Sequence, residues 1–455
     1  MEEHMQNSVA VGGLDTRRMS PVERTRRRVL AGLAAGGAAT AAACGTGATT
    51  TGGSAKEGPA KPSVAPAQLV ASNWTPFDQA PAVQAFTAEF PHIKVEYAPV
   101  DFGPHYERVK ASAVAGTPLD AYWLHDASVT DHAGSGLARP IDDLVRRDKD
   151  ALEDIYPVAM QYSTRGGKVY GVPQFLSLFM VYYNQDRFAG SNIPQPKADW
   201  TLEQFLDAAQ KLTRAPGDRP GVMLPGDVRS YYMFVKAHGG GWTDEKGTRS
   251  RLADAETVAG VQYVKDLLDK HKVAVRPQSG SDLRNQYAAG ATAMLLSLNS
   301  TSLILRQAKA PFKWDVAEPP RGAKGRSTVQ SATGWSLSTG GKQIDAAWQF
   351  VKWLTGERGQ RLLAEREVIL PSRRRVAEDP KVLTPPPANL KGISAAHTYA
   401  DFYANPSVVI STPEKAKIFN DALGAALADI FADKVSTRDA LSAADALVKQ
   451  QGVFA

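Results

Sequence analysis

The 455-residue chain contains one cysteine, Cys44. A single thiol excludes an intramolecular disulfide, so an exported form must be held by its core rather than by covalent staples. No apolar run reaches the ~20 residues a helix needs to cross a bilayer; the longest, Val29 to Ala43, falls short. Strong charge of one sign is missing as well. The net charge is +6, and residues 1–43, with six Arg against four acidic residues, supply +2 of it. The remaining +4 is no footprint for nucleic acid. No G-x-x-x-x-G-K-[ST] occurs, because Gly341-Lys342 is followed by Gln343. ATP hydrolysis would therefore belong to a partner. No H-E-x-x-H and no clustered Cys/His spacing appears, so no metal or cofactor is expected. Aromatic residues make up only 8%, yet eight are Trp.

What is present begins with an address. Arg26-Arg27-Arg28 precedes the Ala-rich apolar run, the pattern of an export signal, and Arg26 and Arg27 read as a twin-arginine motif. Ala41-Ala42-Ala43-Cys44 resembles a bacterial lipoprotein cleavage box, with Cys44 as the lipidated residue. The alternative is an ordinary cleaved signal followed by an incidental cysteine. Residues 45–66 are Gly, Thr, Ser, Ala, Lys and Pro with almost no large apolar side chain, which describes a flexible tether. The remaining length favours two domains.

The folded part opens with Gln68–Ser72 as a strand and residues 80–90 as a helix, with Val83, Phe86 and Phe90 on one face. Ile93–Tyr97 alternates as a second strand. Tyr106–Val114 suits a helix and Ala121–Leu124 a third strand. This β-α-β-α-β order predicts an α/β fold with a parallel sheet. Thr201-Leu202-Glu203-Gln204 is a capping box opening a helix to Leu212. Val258–Lys270 reads as a helix, Ala346–Ala364 as one long helix, and Pro413 opens another after Thr412.

Several motifs then share an order. Gly167-Lys168-Val169-Tyr170-Gly171-Val172-Pro173 is followed by Tyr182-Tyr183-Asn184-Gln185-Asp186-Arg187-Phe188. Asp120–Trp123 and Gly136–Asp143 precede them; Asp199–Phe205, Tyr287–Met294, Trp314–Pro320 and Leu370–Arg373 follow. Together they resemble the family 1 extracellular solute-binding proteins, the maltodextrin-binding-like lipoproteins of carbohydrate ABC transporters. The resemblance implies a two-lobed, type II periplasmic-binding-protein-like fold, with a cleft between lobes joined by about three crossings. The crossings are expected near Gln174–Leu178, Glu318–Arg321 and Ile369–Ser372. They would divide the chain into an export signal (1–43), a lipidated Cys and tether (44–66), lobe 1 (67–176 plus 318–368) and lobe 2 (177–317 plus 369–455).

Sugars present C–H faces to aromatic rings and hydroxyl edges to carboxylates, amides and Arg. Trp123 and Asp126 follow a strand expected to end at the cleft, and Trp123-Leu124-His125-Asp126 resembles the ligand-touching segment of maltodextrin-binding relatives. A core Trp with a surface Asp is the other reading. Trp74 and Asp78 follow the first strand in the same way. Gln174 and Ser177 lie at the first crossing. Gly239-Gly240-Gly241-Trp242 is either a ligand-approaching loop with Trp242 stacking or mere connection. Arg229 lies upstream of it. Asn299 ends an apolar strand, Trp335 follows Gly334 at a strand start, and Arg373 follows the last crossing or belongs to a solvated basic run. Trp348 and Trp353 suit core packing, and Trp200 a helix-entry staple.

The chain is therefore expected to be a non-enzymatic, monomeric carrier. It would capture a mono- or oligosaccharide outside the membrane and deliver it to the permease subunits of an ABC importer. The lipid on Cys44 would hold it at the outer face of the cytoplasmic membrane. The alternatives are a carrier for glycerol phosphate or a polyamine, and an exported glycosidase using Asp78 and Asp126.

Overall fold

A computed structural model describes residues 65–75, 77–213, 220–226, 228–278, 280–366, 370–383, 396, 400–401, 406–410 and 412–454. All belong to one unit, Pro62–Ala455. Arg26, Arg27 and Cys44 lie outside the described residues. No helix among the described residues is long and apolar enough to cross a membrane.

Strands β1 (Ala67–Ser72), β2 (Ile93–Tyr97) and β3 (Ala121–His125) enclose helices Ala80–Glu89 and Phe102–Val114. β1 pairs in parallel with both β2 and β3, as the alternation predicted. The second helix starts at Phe102 rather than Tyr106. Its first turn, Phe102-Gly103-Pro104-His105, lacks apolar periodicity, yet Pro is tolerated there because the first amides have no helical acceptor.

A tight hairpin, β4 (Thr164–Arg165) and β5 (Lys168–Val169), turns at Gly166-Gly167, both at positive φ (54° and 74°). That double requirement explains the glycine pair. β6 (Val172–Asn184) is buried throughout. β7 (Val222–Pro225), β8 (Ala274–Gln278), β9 (Met294–Leu298), β10 (Trp314–Ala317), β11 (Thr328–Leu337) and β12 (Ala400–Asp401) complete the set. The main path runs β2-β1-β3-β11-β6-β9-β7-β8, with β10 on β6 and β12 on β11. β11 runs antiparallel to β3 and β6, and β6 antiparallel to β9.

Two large apolar cores lie along this sheet. One gathers Leu69, Phe86, Trp123, Leu176, Trp335 and Trp348; the other gathers Phe179, Phe205, Phe234, Trp242, Val261 and Leu427. β6 passes between them, with Leu176 in the first and Phe179 in the second. β11 does the same between Val329 and Ala332. Val409 packs against both.

Local signals hold in detail at two helices. Thr201 and Gln204 exchange bonds as a capping box (2.9 and 3.3 Å). Trp200 packs on Phe205, ring centroids 5.6 Å apart, as the staple of that entry. Thr412 caps the Pro413–Phe431 helix by accepting from the Lys415 amide. The helix expected over Ala346–Ala364 is instead two, Ile344–Thr355 and Glu357–Glu365. Gly356, extended at ψ 170°, separates them. Trp348 and Trp353 are buried and donate to Asp148 and Glu89.

Candidate functional site

The candidates fall into two groups that differ in whether their polar atoms are paired. The first is a closed knot. Trp123 on β3 and Trp335 on β11 are register partners, and both are fully buried. Their Nε1 groups donate to the same acceptor, Gln174 Oε1, at 3.0 and 3.1 Å. Gln174 Nε2 donates to the Leu354 carbonyl at 3.0 Å. The β11 pairing with β6 has a bulge at Thr333/Gly334, where β11 passes close to Val172. A side chain at Gly334 would meet the Val172 carbonyl oxygen at 2.3 Å, so only glycine fits.

Around Trp123 lies an aromatic wall. Its ring is 4.6 Å from Trp74, 5.4 Å from Phe77 and 6.2 Å from Phe175, centroid to centroid. Beneath it, His105 Nε2 donates to the Trp123 carbonyl at 2.8 Å, and Nδ1 lies 3.2 Å from Ser72 Oγ. Burial pushes the His105 imidazole down to about 4, against a smaller opposing effect of that bond.

The second group opens where β3 ends. Asp126 begins the helix Asp126–Gly134, directly after His125. Its carboxylate is 1% exposed. Oδ1 accepts from the Ala127 amide and lies 2.7 Å from His125 Nδ1. Among the described residues Oδ2 has no hydrogen-bond partner. Burial favours the neutral acid. The His125 imidazole and its hydrogen bond, then Arg229 and the Ala127 amide, outweigh it and hold the pKa below the ordinary carboxylate value. The result is a desolvated anion with an unfilled acceptor. Leaving such a group unpaired costs about 1–3 kcal/mol or more, so a donor from outside the chain is favoured there.

Arg229 reaches Asp126 from the other core: its helix, Val228–Ala237, packs there, and its guanidinium lies 5.8 Å from the Phe179 ring. Tyr162, Arg165, Tyr232 and Asp401 join them. Burial, then the Asp126 and Asp401 carboxylates, raise the Tyr162 phenol well above its usual value. Tyr232 donates to Asp401 at 2.6 Å, and Lys236 pairs with the same oxygen at 2.9 Å. Trp242 stands 5.9 Å from the Tyr232 ring; it is fully buried, and its Nε1 has no acceptor among the described residues.

The remaining candidates have local tasks. Ser177 Oγ donates to Asn299 Oδ1 at 2.9 Å, and Asn299 Nδ2 donates to the Leu176 carbonyl. They join β6 to the end of β9. Asp78 is exposed and accepts from the Ala80 amide at a helix start, apart from the aromatic wall. Arg373 bonds three carbonyls, of Thr355, Glu153 and Ala151, so its donors serve the backbone rather than a solvated run or an open cleft. Gly240 lets the chain pass the helix Ala255–Leu268: a Cβ there would lie 2.7 Å from Thr257 backbone. That loop is tight for packing.

Sequence reasoning missed His125, Tyr162, Arg165, Tyr232 and Asp401. His125 lay inside the quoted Trp123–Asp126 segment; the others carry no local signal.

Residues 71–361, more than half of the chain, match the bacterial extracellular solute-binding protein family. The chain belongs to that family. This solute-binding protein is 27% identical over 315 residues to an uncharacterized lipoprotein of Streptomyces antibioticus, covering 66% of this chain and 68% of the relative. It is 21% identical over 383 residues to the galactooligosaccharide-binding protein of Bacillus subtilis, covering 81% and 85%. Among solved structures, an ABC substrate-binding protein from Listeria monocytogenes in complex with cycloalternan superposes with a TM-score of 0.74 at 21% identity, covering 86% of this chain and all of that one. The fold is thus the two-lobed α/β fold of type II periplasmic binding proteins.

Proposed function

We propose that this protein is the substrate-binding component of a bacterial ABC importer and that it captures a carbohydrate between its two lobes. The observation that carries this is Asp126: a buried, ionised carboxylate with one oxygen unfilled, beside an aromatic wall and facing Arg229 from the other core. A hydroxyl supplies the missing donor. The named sugar-binding relatives support the class. In this reading β6, β11 and the chain around Leu370–Arg373 are the crossings, and ligand that contacts both lobes favours closure.

Delivery to permease subunits follows from the importer role. Cys44 as a lipid anchor, with residues 45–66 as tether, would keep the carrier near its permease and raise its local concentration there. Arg26 and Arg27 would direct twin-arginine export. A lipoprotein among the relatives supports the anchor. The protein is read as a carrier without catalysis, since Asp78, the second carboxylate a glycosidase would need, is exposed and accepts from the Ala80 amide.

A thermal-shift screen over mono- and oligosaccharides, with glycerol phosphate and spermidine as further arms, tests the reading. A sugar is expected to raise the midpoint. A shift with the phosphate or the polyamine alone overturns the substrate class, and release of new reducing ends overturns the carrier role. Labelling with a radioactive fatty acid, abolished by Cys44→Ala, tests the anchor.

A further inference from the structure

We infer that Phe102 is an outer stacking platform that makes the protein favour a ligand of at least two sugar rings; this rests on the carbohydrate reading above. Among the described residues Phe102 is the one largely exposed aromatic side chain, with 48% of its surface open. Every described Trp is buried except Trp314, which is half-buried and packs on Tyr182 and the Arg306 guanidinium, and the Trp74 and Trp123 rings are already packed against aromatic neighbours. A free ring face for a sugar therefore has to come from elsewhere.

Phe102 is held in place. Trp74 bridges to Val100, and Thr75 donates both its amide to the Val100 carbonyl and its hydroxyl to Asp101, just before the helix that Phe102 opens. Its ring stands nearly perpendicular to Trp74, Tyr106 and His125, with centroids 5.1, 5.3 and 5.9 Å away. His125 is the residue whose Nδ1 touches the Asp126 carboxylate at 2.7 Å. Phe102 thus lies one imidazole away from the unfilled acceptor. Such rigid, solvated aromatic surface suits the C–H face of a second ring when the first engages Asp126. A fixed ring also loses little conformational entropy on binding.

The test is titration calorimetry on the full two-lobed protein with glucose, maltose and maltotriose, and with galactose and its linear oligomers. Wild type is expected to bind an oligomer more tightly than its monosaccharide. Phe102→Ala is expected to weaken the oligomer about tenfold and the monosaccharide less than twofold; Phe102→Trp restores the oligomer, whereas Phe102→Leu does not. Equal affinity of wild type and Phe102→Ala for every length overturns the inference and leaves the sugar reading standing, and assigns the exposed ring to some other contact. A wild type that binds monosaccharides alone also overturns it. Binding of no sugar at all overturns the carbohydrate reading itself, and this inference with it.

Discussion

The Trp123–Gln174–Trp335 knot and the Asp126–His125 pair differ in one respect. Both bury polar atoms completely. In the knot, the two indole N–H groups and both ends of the Gln174 amide find partners inside the chain. At Asp126, one carboxylate oxygen has no partner among the described residues. A satisfied buried network rigidifies a fold; an unsatisfied one costs stability unless something else completes it. The difference separates scaffold from site, although Trp123, Gln174, Trp335 and Asp126 all carried the same sequence expectation.

The comparison is sharpest at Trp123. Trp123→Ala empties a fully buried site and is expected to lower unfolding free energy by about 3–5 kcal/mol, measured in urea. A small stability loss with a large affinity loss would move Trp123 out of the scaffold.

Acid gives the next largest effect. Burial holds His105 and His132 at about 4, against about 6.5 for an unfolded His. The unfolded chain therefore binds more protons as pH falls from 6.5 towards 4, and stability declines across that window. By pH 5 the loss is about 2 kcal/mol for each His. Asp126 runs the other way. Its lowered pKa gives stability that is complete above the unfolded-state value and is lost only as pH falls through the folded value, below that window. Urea midpoints at pH 7 and 5 check this; equal midpoints would contradict the buried neutral histidines.

Gln174→Leu strands the Trp123 indole donor and the Leu354 carbonyl and leaves the Trp335 indole only its 3.4 Å bond to Gln79, an expected cost of about 2–3 kcal/mol. A ligand affinity that falls in step with Asp126 variants, with stability intact, would erase the distinction between the groups. The smallest effect is at Asp78: Asp78→Ala is expected to cost about 1 kcal/mol through the lost amide bond and to leave affinity unchanged.

Much of this was legible in the chain. β1 to β3, the Thr201 capping box, the Trp200 staple and the buried Trp348 and Trp353 follow from local pattern. Asp126 was legible because it follows a strand in a recognisable segment. What was hidden depends on distant partners. Gln174 meets its two indoles across β3 and β11, and Arg373 finds its carbonyls in the segments around Ala151 and Thr355. Gly356 splits an apolar periodicity that continues through it. Phe102 was missed because the periodic face begins only at Tyr106. Tyr162, Tyr232 and Asp401 converge from three separate parts of the chain.

The most direct measurement is titration of Asp126→Asn beside wild type with whichever sugar gives the largest thermal shift. Asn keeps the shape and one acceptor but loses the charge that draws a hydroxyl donor. The account predicts an affinity loss of about a hundredfold, near 2.7 kcal/mol, with an unfolding free energy changed by no more than about 1 kcal/mol. An unchanged affinity would contradict it, because the unfilled oxygen of Asp126 would then face no ligand.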